Sequence, residues 1–456
     1  MTLPASLTPE CLAELSSRGP RYTSYPPATE FRALEAGRVD REIVAVRDDA
    51  RPISLYVHVP FCRSLCWYCG CNVIPSKDTS RGDKYVDTLA TEIALVAERL
   101  GVGFPISEVA LGGGSPNFLP PRTMRTMMTA IEKCFSIQPN ARLSVELDPR
   151  DTTSVQLDAF AGAGFRTLSV GVQDFSPSVQ DAIRRHQTLA QTGWLIERAR
   201  AAGFTDVNCD IVYGLPRQHE ASFMSTIESI IGLQPDRIAL FGYAHLPDRL
   251  PHQRLVERAG RVLDRYERAS LLLLAIERLT EAGYIHLGLD HFAKPGSSLA
   301  KAAEEKRMVR TFQGYVEYKA DSVIGLGVSA ISSTPRMFWQ NHGELAAWEE
   351  AIGKAQLPIH RGAELDVDDR VRRALIERLM CDGEIELDTL QRFGIDPVRY
   401  FANELASLSK QPELASFDDA QRTIRTTPLG KLLVRNVCMM FDRYHHDDGS
   451  RFSSTI

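Results

Sequence analysis

The sequence has no long apolar run, no marked excess of either charge, no solenoid repeat and no low-complexity tract. Its densest apolar stretch, Leu271–Ile276, falls far short of the ~20 residues needed to cross a bilayer and reads as a piece of an amphipathic helix. The start, Met-Thr-Leu-Pro-Ala-Ser, lacks the basic residues and apolar core of a secretory leader. Lys and Arg total 53 against 58 Asp and Glu, a net charge of −5. That balance argues against a general binder of nucleic acid or anionic membrane, while leaving room for a local basic pocket. We therefore expect a soluble, cytoplasmic protein. Its 456 residues suggest two or three domains at roughly 100–200 residues each.

Nine cysteines are present, an odd number, and four of them (Cys62, Cys66, Cys69, Cys71) crowd together. Disulfide-stapled secreted folds are far shorter and denser in cysteine, so the cluster favours metal or redox chemistry.

From about Ile53, short β-branched runs alternate with longer helical patterns. Strands are expected near Leu55–Val59, Glu108–Leu111, Leu143–Leu147, Thr167–Val172, Val207–Val212 and Ile238–Tyr243, with weaker ones near Tyr284–Leu289 and Val323–Leu326. Helices are expected at Lys84–Leu100, Arg122–Cys134, Gln187–Ala202 and Arg261–Ala282. Such βα units imply parallel strands with crossover helices. His58, Gly112–Gly114, Glu146, Gln173-Asp174, Asp210 and Tyr243-Ala244-His245 all fall at strand ends, as in a TIM-like barrel whose mouth collects polar groups. A doubly wound sheet would gather them at one switch point instead.

The expected fold is therefore α/β, a partial TIM-like barrel over residues 51–345. Residues 1–50 are read as an irregular segment, and residues 346–456 as a mostly helical domain with helices at Val367–Cys381, Pro397–Lys410 and Pro428–Tyr444. Thr426–Lys431 could open a winged-helix-like recognition helix, but with no basic face a packing domain or lid is the better reading.

Cys62, Cys66 and Cys69 form a C-x3-C-x2-C spacing just after a strand. Three thiolates so close suit an iron–sulfur cluster with one iron left open. Structural zinc completed by His58 or Cys71, and inert buried thiols, remain the alternatives. The triple glycine would let backbone approach a ligand closely. Glu146 could accept hydrogen bonds from ribose hydroxyls or an ammonium.

The C-x3-C-x2-C spacing, with Tyr68 before the last cysteine and glycines at the next strand end, resembles the radical S-adenosylmethionine (SAM) superfamily. Finer matches run along nearly the whole chain: Arg21–Pro26, Tyr56–Cys62, Cys69–Asn72, Gly112–Pro116, Glu146–Arg150, Gly171–Phe175, Asp210–Pro216, Tyr243–Pro247, Asp290–Ala293, Phe312–Tyr315, Gly327–Ser332 and Arg435–Asp442. Together they resemble the oxygen-independent coproporphyrinogen III oxidase (coproporphyrinogen dehydrogenase) family.

The resemblance implies a 4Fe-4S cluster on Cys62, Cys66 and Cys69, whose open iron binds the amino and carboxylate groups of SAM. One electron then cleaves the sulfonium to methionine and a 5′-deoxyadenosyl radical. The radical takes a hydrogen from a propionate, CO2 leaves and a vinyl remains. Two rounds convert coproporphyrinogen III to protoporphyrinogen IX in porphyrin and haem biosynthesis. An electron donor to the cluster and an acceptor for the leftover electron are needed as partners, and a monomer is expected.

The same resemblance implies two neighbouring SAM molecules. Tyr56, Gly113, Glu146 and Ile331 would touch the cluster-bound one. Tyr68, Gly114, Ser115, Gln173, Arg185, Asp210 and Ala244 would surround the second. Tyr56, His58, Cys71, Glu146, Arg185 and Gln313 are the candidates for catalytic roles, although Cys71 lies too near Cys69 to reach a fourth cluster corner. Arg18, Arg21, Arg184 and Arg185 are candidate cations for the four substrate carboxylates. His291 could orient or protonate, but reads more simply as a satisfied core histidine. The departures are Ser115 in place of threonine, Asn117 after the proline, and Arg184 in place of asparagine, with His186 beside it. A paralogue acting in haem transfer or breakdown, and a non-catalytic iron–sulfur or zinc protein, are the rival readings.

Overall fold

A computed structural model describes residues 7–35, 37–317, 320–445 and 452–456. Six strands follow one another both in sequence and in space. They are β1 (Ile53–Val59), β2 (Phe104–Gly113), β3 (Phe135–Leu147), β4 (Thr167–Gln173), β5 (Asp206–Tyr213) and β6 (Arg237–Gly242). Each is parallel to the next. Val323–Leu326 lies parallel to β1 on its other side. Three antiparallel strands, Ile331–Ser333, Met337–Asn341 and Ile359–Glu364, continue the sheet beyond it. His291–Ala293 and Ile285–Gly288 extend it antiparallel past β6. Among the described residues the two outermost strands do not pair with each other, so the barrel stays open.

Period-2 alternation explains which residues face inward. In β4, Leu168, Val170 and Val172 are fully buried, while Ser169, Gly171 and Gln173 are only partly covered. The same alternation puts Ser144 and Glu146 of β3, and Asn208 and Asp210 of β5, on the partly covered face. The apolar face packs on the crossover helices, at about 1.5–3 kcal/mol for each fully buried aliphatic side chain. The polar face is turned into the lumen, where small and hydrogen-bonding groups leave space.

The helices end where their chemistry dictates. Ser154–Gly162 and Leu189–Ala202 begin with capping boxes, Thr153 with Gln156 and Thr188 with Gln191. The Thr188 cap explains why the second of these starts two residues later than its apolar pattern suggests.

Three expectations need correction. Residues 1–50 are not wholly irregular, since Pro9–Leu15 and Arg38–Asp49 are helices. The expected helices at Pro397–Lys410 and Pro428–Tyr444 each break into two short ones, Pro397–Tyr400 with Ala402–Leu408, and Pro428–Leu432 with Val434–Met439. The region also holds a three-stranded antiparallel sheet of Glu384–Glu386, Thr423–Thr426 and Ala415–Asp418. Strands of three or four residues are too short to show a period.

Residues 19–25 run over the sheet and are clasped by the C-terminal region. Arg435 Nε donates to Pro20 O at 2.9 Å, the Tyr22 hydroxyl to Asp442 at 2.9 Å, and Arg443 N to the Tyr25 hydroxyl at 3.1 Å.

Candidate active site

Past β1, Phe61–Cys62 pairs with Ile74–Pro75 and closes the loop that carries the cysteines. Cys69 N donates to Cys66 O at 3.2 Å, folding the loop on itself. His252 Nε2 donates to Cys69 O at 2.8 Å. Gln253 Nε2 bridges Tyr68 O at 3.0 Å and Ala244 O at 3.1 Å, which brings these two expected site residues together.

All nine cysteines are free thiols. Burial pushes Cys62 up to about 12, and the neighbouring Cys69 and Cys66 add to it. A hydrogen bond from Cys71 lowers Cys69 to about 7, and the same contact raises Cys71 well above the usual thiol range. Arg150 Nη2 and Arg185 Nη1 each lie 3.6 Å from Cys66 Sγ, so cations are ready to stabilise thiolate there. Among the described residues no three His, Cys, Asp or Glu side chains close around a single ion. Cys66 and Cys69 lie close enough to Cys62 to raise its pKa, yet the three do not enclose one point, a donor set that suits a multi-iron cluster.

The triple glycine has a cause within the protein. A Cβ on Gly112 would lie 2.8 Å from the Glu146 carboxylate, one on Gly113 2.5 Å from the His58 ring, and one on Gly114 2.6 Å from Phe61 O. Gly113 also has φ +106°. Removing side chains lets β1, β2 and β3 crowd their polar ends together.

His58 Nε2 donates to Asn72 O at 2.9 Å, so Nδ1 is free to accept from the Tyr56 hydroxyl at 3.2 Å. Burial lowers the His58 pKa, consistent with this neutral tautomer. Among the described residues Glu146 takes a single bond, of 3.4 Å, from Gly113 N. Burial, reinforced by Asp210, pushes its carboxyl up to about 7.

Arg185 is 6% exposed, donates to Gly171 O, and pairs with Asp148 at 3.0 Å. Despite burial, Arg185 and Arg150 hold Asp148 at about 2. Arg185 Nε is buried with no partner among the described residues, an orphan donor beside the thiols. Gln173 reaches the same spot: its amide and the Arg185 guanidinium both crowd the position a Gly171 Cβ would take. The Ser115 hydroxyl is already committed, donating to Asn117 and accepting from Asp148 N. Asp210 accepts from Asn208 at 2.7 Å and Ser169 at 3.1 Å.

Part of this set borders two adjoining cavities, whereas Cys62, Cys66, Cys69, Tyr68, Gly114, Ser115, Gln173, Arg185 and Ala244 line neither of the two. The larger, about 450 Å³, touches Tyr56, His58, Cys71, Gly113, Glu146, Gln313 and Ile331. The other, about 280 Å³, touches Glu146, Asp210, His291 and Gln313. Both volumes are typical in scale of small-molecule sites.

The proposed cations scatter. Arg21 donates to Gly242 O at 2.7 Å and borders the smaller cavity. The Arg18 backbone forms a β-bridge with Ser454, and Arg184 is exposed over the Trp67 ring at 6.0 Å. His291 is buried and bonded to Asp290 at 2.6 Å. Asp148, Arg150, Arg310 and Arg373 were missed. Asp148 and Arg150 lie inside the Glu146–Arg150 motif, whose alternation signalled them. Arg310 and Arg373, which border the larger cavity, carry no local signal.

An open parallel barrel with three thiols after its first strand defines a radical SAM enzyme, and the Radical SAM superfamily model matches residues 56–230. The oxygen-independent coproporphyrinogen III oxidase of Pseudomonas aeruginosa is 38% identical over 445 residues, 96% of each chain. That of Escherichia coli K12 is 37% identical over 427 residues, 93% of each. The solved coproporphyrinogen III oxidase (HemN) of Escherichia coli, a radical SAM enzyme, superposes with TM-score 0.88 over 93% of this chain and 98% of its own. The chain belongs to the oxygen-independent coproporphyrinogen III oxidase family.

Proposed function

We propose that the chain oxidatively decarboxylates two propionates of coproporphyrinogen III to vinyls, giving protoporphyrinogen IX in haem biosynthesis without oxygen. The observation that carries this is the opening of the cysteine loop, Gly113 and Glu146 on one cavity, in a chain matched almost throughout by relatives of that name. When bound, a 4Fe-4S cluster with SAM supplies the hydrogen-abstracting 5′-deoxyadenosyl radical. Cys62, Cys66 and Cys69 hold the cluster. Tyr56, Gly113, Glu146 and Ile331 receive the cluster-bound SAM, with ionised Glu146 accepting from its ammonium or ribose. Neutral His58 fixes the Tyr56 hydroxyl.

Tyr68, Gly114, Gln173, Arg185, Asp210 and Ala244 form the second SAM site, to which the orphan Arg185 Nε offers a donor. Ser115 shapes its wall, because its hydroxyl is spent on Asn117 and Asp148. Gln313 stands between the cavities as a further contact, and Cys71 faces the larger one, placed to handle a proton. Residues 51–345 act as the catalytic barrel, 1–50 as its cover and 346–456 as a domain that clamps the cover. No helix among the described residues is long and apolar enough to cross a membrane, and we read the enzyme as a cytoplasmic monomer served by a separate electron donor and acceptor.

The test is anaerobic reconstitution with iron and sulfide, followed by SAM, reductant and coproporphyrinogen III. Vinyl product and 5′-deoxyadenosine should appear together. Cleavage of SAM without protoporphyrinogen IX would favour haem transfer or breakdown, and stoichiometric zinc without iron would overturn the radical chemistry.

A further inference from the structure

Arg310 lies where the two cavities meet and borders both. Its side chain is 3% exposed. Nε donates to Arg21 O at 3.1 Å, and the guanidinium stacks over the Tyr315 ring at 4.8 Å. Its nearest acid is Asp290, whose Oδ1 is 3.6 Å from Nη1, beyond hydrogen-bond reach. That Oδ1 is already taken by His291 Nδ1 at 2.6 Å. Arg310 Nη1 is therefore a buried donor with no hydrogen-bond partner among the described residues. Asp290 also faces Arg21, so this one carboxylate is shared between two arginines. Buried charged donors are ordinarily satisfied, and one left open beside a cavity points to a ligand. A planar guanidinium with a free N–H edge matches a carboxylate.

We propose that Arg310 anchors a carboxylate of the tetrapyrrole, a propionate that is held while another reacts. The proposal rests on the functional reading above, since that substrate carries four such groups. It differs from the cations expected from sequence, because Arg184 lies over the Trp67 ring and Arg185 is engaged with Asp148. The other source of the same chemistry is the carboxylate of SAM, and the experiment separates the two.

Coproporphyrin III, the stable oxidised macrocycle, is titrated into the full-length wild type, R310K and R310Q, with its uncharged tetramethyl ester as the comparison ligand. The wild type should prefer the free acid. R310Q should weaken the free acid about tenfold and leave the ester unchanged, with R310K between them. In reconstituted enzyme, R310Q should raise KM for coproporphyrinogen III by a similar factor, while KM for SAM stays within about twofold. A rise confined to KM for SAM would give the contact to SAM and overturn the proposal. Equal losses for acid and ester would make Arg310 purely structural, and unchanged binding would refute it directly. Should R310Q not fold, the wild-type preference for acid over ester and its reduction in R310K decide the matter. If the wild type cleaves SAM but forms no vinyl product, the functional reading fails instead, and the acid-over-ester comparison still reports on Arg310.

Discussion

Two glutamates in different parts of the molecule are both pushed up to about 7 by burial. Glu92 sits on the Ser80–Leu100 helix, behind the sheet and 1% exposed. Its carboxylate accepts from Gly327 N at 2.7 Å, Asn341 Nδ2 at 2.7 Å and Trp348 Nε1 at 3.1 Å. Glu146 faces the lumen, takes one bond of 3.4 Å, and feels Asp210 rather than a cation. Equal shifts therefore accompany opposite roles. The lone pairs of Glu92 are spent on tying the 327–331 turn to the wall, whereas those of Glu146 are open to whatever enters the cavity. A perturbed pKa marks a site only when hydrogen-bonding capacity is left over.

The widest separation between lumen and wall is expected from the thiols. Cys62→Ser, Cys66→Ser or Cys69→Ser should each abolish SAM cleavage, measured as 5′-deoxyadenosine. Cys71→Ser should keep the iron absorbance, and so should Cys438→Ser, a fully buried thiol of the C-terminal region whose loss is felt only in the unfolding midpoint. Next, Glu146→Gln should slow SAM cleavage on the order of 10²-fold, as loss of a charged contact to the bound group predicts, with an unchanged melt.

Gly113→Ala should destabilise by about 2–3 kcal/mol in denaturant unfolding, because its Cβ would meet the His58 ring at a positive φ. Glu92→Gln should destabilise by about 1–3 kcal/mol, because an amide cannot accept from all three donors, and should leave SAM affinity alone.

The smallest effect is in pH dependence, where the two glutamates should separate by readout. Glu92 has a folded pKa raised from 4.5 to about 7. The folded state therefore holds the proton more tightly, and this contribution is present below the unfolded pKa and lost as pH rises through about 7. Wild-type stability should fall relative to Glu92→Gln by at most about 3 kcal/mol between pH 5 and 8. Glu146 should instead show in ligand binding: SAM affinity should rise from pH 6 to 8 in the wild type and stay flat in Glu146→Gln.

The lumen half of this comparison was more legible in sequence than the wall half. β1 to β6 carry β-branched residues, several of them alternating with polar ones, and recur with helical patterns between them, so both the parallel barrel and Glu146, Asp210 and the cysteine loop could be read. The tie at Glu92 could not, because a lone glutamate on an amphipathic helix looks like a solvated residue until Asn341 and Trp348 arrive from more than 240 positions away. Arg310 was hidden for the same reason: in Val309–Thr311 it alternates as an exposed strand residue would, and only the packing of residues 21 and 290 against it reveals burial. The short C-terminal strands were lost because three residues carry no period.

The clasp over the lumen has a consequence for the order of events on the ribosome. Residues 19–25 emerge early, but the groups that pin them, Arg435, Asp442 and Arg443, are made some 400 residues later. The barrel has all six central strands by residue 242 and can begin to fold before then. The roof is thus the last part fastened, and the lumen closes only when synthesis of the chain is nearly complete.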